Sequence, residues 1–245
     1  MQLLAREISN NHVISVYETS ELYGDKGHFR VLQFSNEAIQ GAIDVTNPAR
    51  ILFEYPRAII HLMEVNHPSF EDVFVIGHGI GTIASHFSDK RFVIAELDEK
   101  VVELSRRFFG YSRDNVRVGD GRDLLASEHP GTYDCIIVDA FTSSGTPRHL
   151  TSLEFFQVAL DKLHPGGALI MNLFGIGIQD RYIQAIHTTL REAFAYTKVF
   201  LLRADGGRDV TNMIFIGQDN PIDYSARHLA GFTETTLEQG YVIRE

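Results

Sequence analysis

The chain has 245 residues, 44% of them hydrophobic and 22% charged, with a formal net charge of −10 and one cysteine, Cys135. Such a length holds one large domain, or one domain with a small appendage. The acidic balance disfavours nucleic acid and anionic lipid as partners. A lone cysteine excludes an internal disulfide and fits a reducing, cytoplasmic home. The start, MQLLAREISNN, has no long apolar stretch, so no signal peptide is expected. No apolar run approaches the ~18 residues of a membrane helix.

Residues 1–46 read as a small β-domain, in which HVISVYET and HFRVLQF alternate apolar and polar positions around the turn LYGDKGH. Pro48 opens a helical pattern carried by Leu52, Tyr55, Ile59, Leu62 and Met63, closed at His67-Pro68. From Asp72 strands alternate with helices, the mark of a parallel sheet. The strands are DVFVIG, RFVIAELD, NVRVGDG, YDCIIVDA and GALIMNLFG. The helices are expected over residues 82–88, 99–109, 121–127, 152–163 and 180–194. KVFLLRADGGRDVTNMIFIGQ reads as an antiparallel hairpin at a sheet edge, turning at Gly206-Gly207. The tail from Asp219 is polar and reads as a short helix or a loosely held segment. The fold class is therefore α/β: a doubly wound, mostly parallel, Rossmann-like sheet over residues 47–245 with an amino-terminal β-appendage over 1–46.

Chemistry gathers at the carboxyl ends of these strands, where ligands bind in such sheets. The first ends in VIGHGIGT, whose Gly77, Gly79 and Gly81 allow a sharp turn and close backbone approach to a ligand. Glu96 ends the second, where a carboxylate accepts hydrogen bonds from both hydroxyls of a ribose. A nicotinamide cofactor fits this much too, but the third glycine of its fingerprint would fall on Thr82. Asp120, at the end of the third strand, has two readings: acceptor for an adenine amino group, with Gly121 leaving room for the ring, or cap of the following helix. Asp139 ends the fourth strand, facing the reacting centre or capping a helix or loop. The Ser/Thr/Gly/Pro-rich segment after it, over residues 141–150, has the composition of a lid. The histidines lack metal-ligand spacing, so no metal is expected. Ser143 and Ser144 near His149 lack the G-x-S-x-G elbow of a hydrolase.

In series, VFVIGHGIG, AELDEKVVELSRRFF, VRVGDGRDLL, YDCIIVDAF and LHPGGALIMNL resemble the spermidine synthases and other polyamine aminopropyltransferases, whose core is that of class I methyltransferases. LYGDKGHFRVLQFSNEAIQ and YPRAIIHL are similar to that family's small β-domain and first helix. The resemblance implies Glu96 on the ribose, Asp120 with Gly121 on the adenine, Asp139 as the catalytic carboxylate and Tyr55 in the substrate pocket. It implies S-adenosylmethionine or its decarboxylated form as cofactor, an amine as acceptor, and a homodimer. Three positions depart from the family pattern. Ile80 replaces the aspartate of the glycine turn, Thr142 a second acid after the fourth strand, and Arg57 a glutamate after the pocket tyrosine. Each removes an acid from a pocket for a polyamine cation, so ordinary putrescine aminopropylation is not expected. The expected function is alkyl transfer from an adenosyl sulfonium to an amine. Methyl transfer from S-adenosylmethionine, and a nucleoside-binding protein without catalysis, are the alternatives.

Overall fold

The computed structural model describes residues 1–9, 12–35, 39–142, 145–202 and 211–245. Four strands, β1 (Gln2–Ser9), β2 (His12–Leu22), β3 (Asp25–Phe34) and β4 (Ile39–Asp44), form an antiparallel sheet in sequential order. Their alternation buries Ile14, Val16, Phe29, Val31 and Leu32.

An eight-stranded sheet follows. Its strands are β5 (Asp72–Ile76), β6 (Arg91–Glu96), β7 (Val116–Val118), β8 (Tyr133–Val138), β9 (Leu163–Gly175), β10 (Tyr196–Leu202), β11 (Thr211–Gln218) and β12 (Phe232–Thr235). Their order is β12-β10-β11-β9-β8-β5-β6-β7, with β5 to β9 parallel. Helices α1 (Glu54–Asn66) and α2 (Thr82–His86) pack on one face, and α4 (Gly121–Ala126), α5 (Leu153–Lys162) and α6 (Arg181–Ala193) on the other. Helix α3 (Glu99–Phe109) carries Val101 and Leu104 into a cluster with Ile14, Val16 and Leu32, docking the small sheet onto the large one. The doubly wound architecture is thus as expected. Burial on both faces explains why β5, β8 and β9 are almost continuously apolar.

The order in which strands are added reverses at β5. From it the chain adds β6 and β7 on one side, then β8 and β9 on the other. A cleft opens where two such crossovers diverge, at the carboxyl ends of the strands.

Three expectations change. The first helix begins at Glu54, not at Pro48; residues 45–53 form turns in which Leu52 and Phe53 pack against the small sheet's core. The hairpin of β10 and β11 forms, but the edge belongs to β12, which pairs with β10. The proposed turn at Gly206-Gly207 lies outside the described residues. The tail is not loose, because Ile222, Leu229, Phe232, Leu237 and Ile243 are all buried. Its backbone is also tied down: the Gly240 and Ile243 amides donate to the Thr188 and Thr189 hydroxyls at 2.8 and 2.9 Å.

Candidate active site

The glycine turn follows β5 and lies between the ends of β6 and β8. Gly77, Gly79 and Gly81 all have positive φ, at 99°, 53° and 78°. At Gly77 a side chain is impossible for a second reason. A Cβ there would sit 2.1 Å from the Asp139 carbonyl oxygen. At Gly81 it would strike the Tyr111 ring at 2.3 Å. The turn is therefore clasped between the β8 end and Tyr111, in a conformation only glycine tolerates.

Glu96 ends β6 beside that turn. Its two oxygens accept the His78 and Asp98 backbone N–H groups, each at 2.9 Å. Burial pushes its carboxyl above the usual carboxylate range, against the lowering effect of these amides. Glu96 thus ties the glycine turn to the end of β6. Each carboxylate oxygen has more than one lone pair, so acceptor capacity remains.

Asp120 caps α4, its Oδ1 accepting from the Arg122 and Asp123 amides at 2.9 and 3.2 Å. Its Oδ2 lies 3.0 Å from His149 Nε2. The cap reading is therefore borne out, and an adenine amino group at Oδ2 would share the oxygen with His149 or displace it. Gly121 has a packing reason of its own: a Cβ there would meet the Ile76 side chain at 2.3 Å. Glu96 and Asp120 belong together, since β6 and β7 pair at Glu96 and Val118, and the Gly119 amide donates to the Glu96 carbonyl.

Asp139 sits on the other side of the turn, its amide donating to the Ile76 carbonyl at 2.8 Å. It does not cap a helix. Its carboxylate accepts from the Tyr55 hydroxyl and, at 2.9 Å, from Asn172 Nδ2. Burial raises its pKa to about 6, while the Asn172 and Tyr55 hydrogen bonds act to lower it. The Tyr55 hydroxyl is held well above its ordinary range by burial and by the Asp139 charge. A small cavity of about 30 Å³ lies here, lined by Gln40, Tyr55, the turn from Gly77 to Gly81, and Asp139. It includes neither Glu96 nor Asp120. The site is two adjoining regions, one acidic rim at Glu96 and Asp120 and one pocket at Asp139, with the glycine turn between them.

The three departing positions also have local explanations. Ile80 is buried in the cluster that docks the small sheet, and a Cβ on Gly41 would meet it at 2.7 Å. An acid there would be stranded among Ile14, Val16 and Leu32 at a cost of several kcal/mol. Arg57 donates to the Phe53 carbonyl at 3.1 Å and to Glu54 at 3.4 Å, so its charge is used at the first turn of α1. The Thr142 hydroxyl donates to the Gly145 carbonyl, and the two residues form an isolated antiparallel bridge. Ser143 and Ser144 lie outside the described residues.

Sequence reasoning missed Gln40, Asn172 and His78. Asn172 left a trace, as a lone amide inside the apolar run GALIMNLFG. Gln40 carries no motif. His78 is buried, its Nε2 is 2.8 Å from the Ser105 hydroxyl, and burial lowers its pKa to about 4. Among the described residues, no cluster of three or more His, Cys, Asp or Glu side chains could hold a metal. No described helix is long and apolar enough to cross a membrane.

Comparison with known proteins bears on family and fold. Spermidine synthase 2 of Datura stramonium is 32% identical over 167 residues, covering 64% of this chain and 52% of its own length. Putrescine N-methyltransferase 1 of Nicotiana tabacum is 30% identical over 167 residues, covering 64% of this chain and 44% of its own. The chain spans about half the length of these relatives. A probable spermidine synthase from Corynebacterium glutamicum superimposes with a TM-score of 0.77 at 26% identity, over 92% of this chain and 84% of that one. The Thermotoga maritima spermidine synthase shares the fold, with a TM-score of 0.68 at 18% identity over 98% of this chain and 81% of that one. Residues 52–204 match the model of the spermine/spermidine synthase domain, from the start of α1 past the end of β10. That stretch carries the glycine turn and all three acidic strand ends, and the chain belongs to the spermine/spermidine synthase family.

Proposed function

We propose that this chain is a transferase that binds an adenosyl sulfonium across the ends of β5, β6 and β7 and moves its alkyl group to an amine held beside Asp139. The observation that carries this reading is Asp139 itself. A carboxylate at the reversal point of the sheet, braced by Tyr55 and Asn172, faces a pocket next to a glycine turn. Glu96 would take the ribose hydroxyls and Asp120 the base. The positive φ angles at Gly77, Gly79 and Gly81 keep the wall between base and pocket free of side chains.

In the reaction, the amine lone pair attacks the carbon bonded to sulfur. The carbon–sulfur bond breaks, its electron pair stays on sulfur, and a thioether nucleoside leaves. The positively charged sulfur makes a good leaving group, so most of the rate comes from holding nitrogen, carbon and sulfur in line. An alkyl amine of pKa ~10 is almost wholly protonated at neutral pH. Asp139, with a pKa of about 6, is ionised there and serves as orienter and proton acceptor.

Decarboxylated S-adenosylmethionine with aminopropyl transfer is the first form of this reading. Methyl transfer from S-adenosylmethionine is the second, favoured by the apolar Ile80 where an acid would hold an aminopropyl ammonium. A nucleoside-binding protein without turnover is the third. A small-molecule amine is the partner, and a homodimer is the proposed assembly. The test is incubation with each cofactor and a panel of primary amines, followed by mass spectrometry. A thioether nucleoside with an aminopropylated or methylated amine names the reaction. Binding of the nucleoside with neither product leaves only the third form.

A further inference from the structure

Asp139 is one member of a polar layer that crosses three strands. On the face covered by α1, Ile137, Ile170 and Ile216 form an apolar row of the core, and Ile214 follows on β11 one step nearer the rim. Two residues further toward the rim, the alternation of each strand places Asp139 and Asn172 and, on antiparallel β11 beyond Ile214, Asn212. Asn172 lies opposite Ile214, and Phe174 opposite Asn212, so the two asparagines are diagonal neighbours on one face. Asn212 Nδ2 donates to Asn172 Oδ1 at 3.0 Å, and Asn172 Nδ2 donates to Asp139 Oδ1 at 2.9 Å. Asn172 is 1% exposed, so water does not replace either bond.

The direction of this chain matters. A side-chain amide has a donor end and an acceptor end. Turned one way, Asn172 gives N–H to Asp139, which suits an ionised carboxylate. Turned over, it gives C=O, which suits only a protonated one. Asn172 makes no choice alone, because the two ends have nearly the same shape. We infer that Asn212, which does not touch Asp139, sets this choice by occupying the Asn172 carbonyl, so that both asparagines are positioning residues for the ionised Asp139 carboxylate.

The inference rests on the reading of Asp139 as the proton acceptor, but the carboxylate itself reports on it, with no acceptor amine needed. Other charged groups around the carboxylate are few. Tyr55 on α1 touches it, and neutral His78 of the glycine turn lines the same pocket. Glu54 and Arg57 in the first turn of α1 pair with each other.

The experiment is an NMR titration of the full chain with ¹³C-labelled aspartate carboxyls, the Asp139 signal being the one lost in Asp139→Asn. In the unsubstituted protein its midpoint should lie near 6. Asn172→Leu removes the donor and should raise the proton affinity of Asp139 roughly tenfold or more. Asn212→Leu leaves the donor in place but frees Asn172 to turn over, and should raise that affinity roughly threefold to tenfold. Asn212→Ala gives the same reading if the leucine variant does not fold. A mere loosening of the strand would not move this midpoint while leaving the Asp44 signal in place. An unchanged Asp139 midpoint in a folded Asn212 variant overturns the inference, whatever turnover the enzyme shows.

Discussion

The Tyr55 hydroxyl donates to the Asp139 carboxylate, joining the first turn of α1 to the end of β8 across the cleft. This contact links the helix that precedes the parallel strands to the residue proposed to face the reacting amine. Several measurable consequences come from the way that carboxylate is held.

Asp139→Asn keeps the shape of the group and removes its charge. Turnover should fall 10²- to 10⁴-fold, the usual contribution of a positioned base, while cofactor affinity stays within about 1 kcal/mol. Stability should move the other way. A carboxyl whose folded pKa is raised to about 6 contributes stability at low pH that is lost as pH rises through 6. The asparagine variant should therefore match the parent near pH 4 and exceed it by up to about 3 kcal/mol above pH 7. Urea denaturation at both pH values checks this. An unfolded variant, or one with full turnover, contradicts the role given to Asp139.

His78 titrates in the opposite sense. Its folded pKa is lowered to about 4, chiefly by burial and then by Arg106. The neutral ring contributes stability that is present above about 6.5 and is lost as pH falls toward 4. The loss amounts to about 3 kcal/mol at the acid end. His78→Gln should flatten the fall of the melting temperature between pH 6.5 and 4. An acid limb as steep as the parent's would show that other groups control it.

Gly77→Ala places a Cβ 2.1 Å from the Asp139 carbonyl oxygen at a φ of 99°. The variant should lose more than about 3 kcal/mol or fail to fold. Gly131→Ala is the control, since its φ of 62° is also positive but nothing lies within 4 Å of the added carbon. It should cost only about 1 kcal/mol. Equal melting temperatures for the two variants would contradict the close fit at the turn.

Putrescine should be a poor acceptor with decarboxylated S-adenosylmethionine. Ile80 is buried among apolar residues, Arg57 is held at the start of α1, and Thr142 bridges to Gly145. None of the three offers a carboxylate to a second ammonium. A coupled assay should find turnover far below the ~10 per second of an ordinary enzyme. Turnover at that rate would show that these substitutions do not govern the acceptor.

The parallel sheet was legible because strands buried on both faces write continuous apolar runs, and because each ends in glycine or an acid. Helix α3 was legible to the residue, with Asp98 as cap and Gly110 in the left-handed conformation at its end. The tail was not. Its buried residues, Ile222, Leu229, Phe232, Leu237 and Ile243, are spaced by contacts with elements far away in sequence, not by any local period. The start of α1 was misplaced for a related reason, since Leu52 follows a helical spacing but belongs to the small sheet's core. Of the site, the residues at strand ends were legible because the topology of such sheets places ligands there. Asn172, Asn212, Gln40 and the contact of His149 with Asp120 depend on pairings between distant segments, which no local pattern encodes.

The central claim is that an adenosyl group lies on Glu96 and Asp120 beside the glycine turn. Isothermal calorimetry with 5′-methylthioadenosine and S-adenosylmethionine, alongside NAD, tests it most directly. The account predicts saturable heat with at least one of the first two, at least tenfold weaker binding in Glu96→Ala, and no comparable affinity for NAD. Equal affinity for NAD, or no heat with either adenosine ligand, would contradict it.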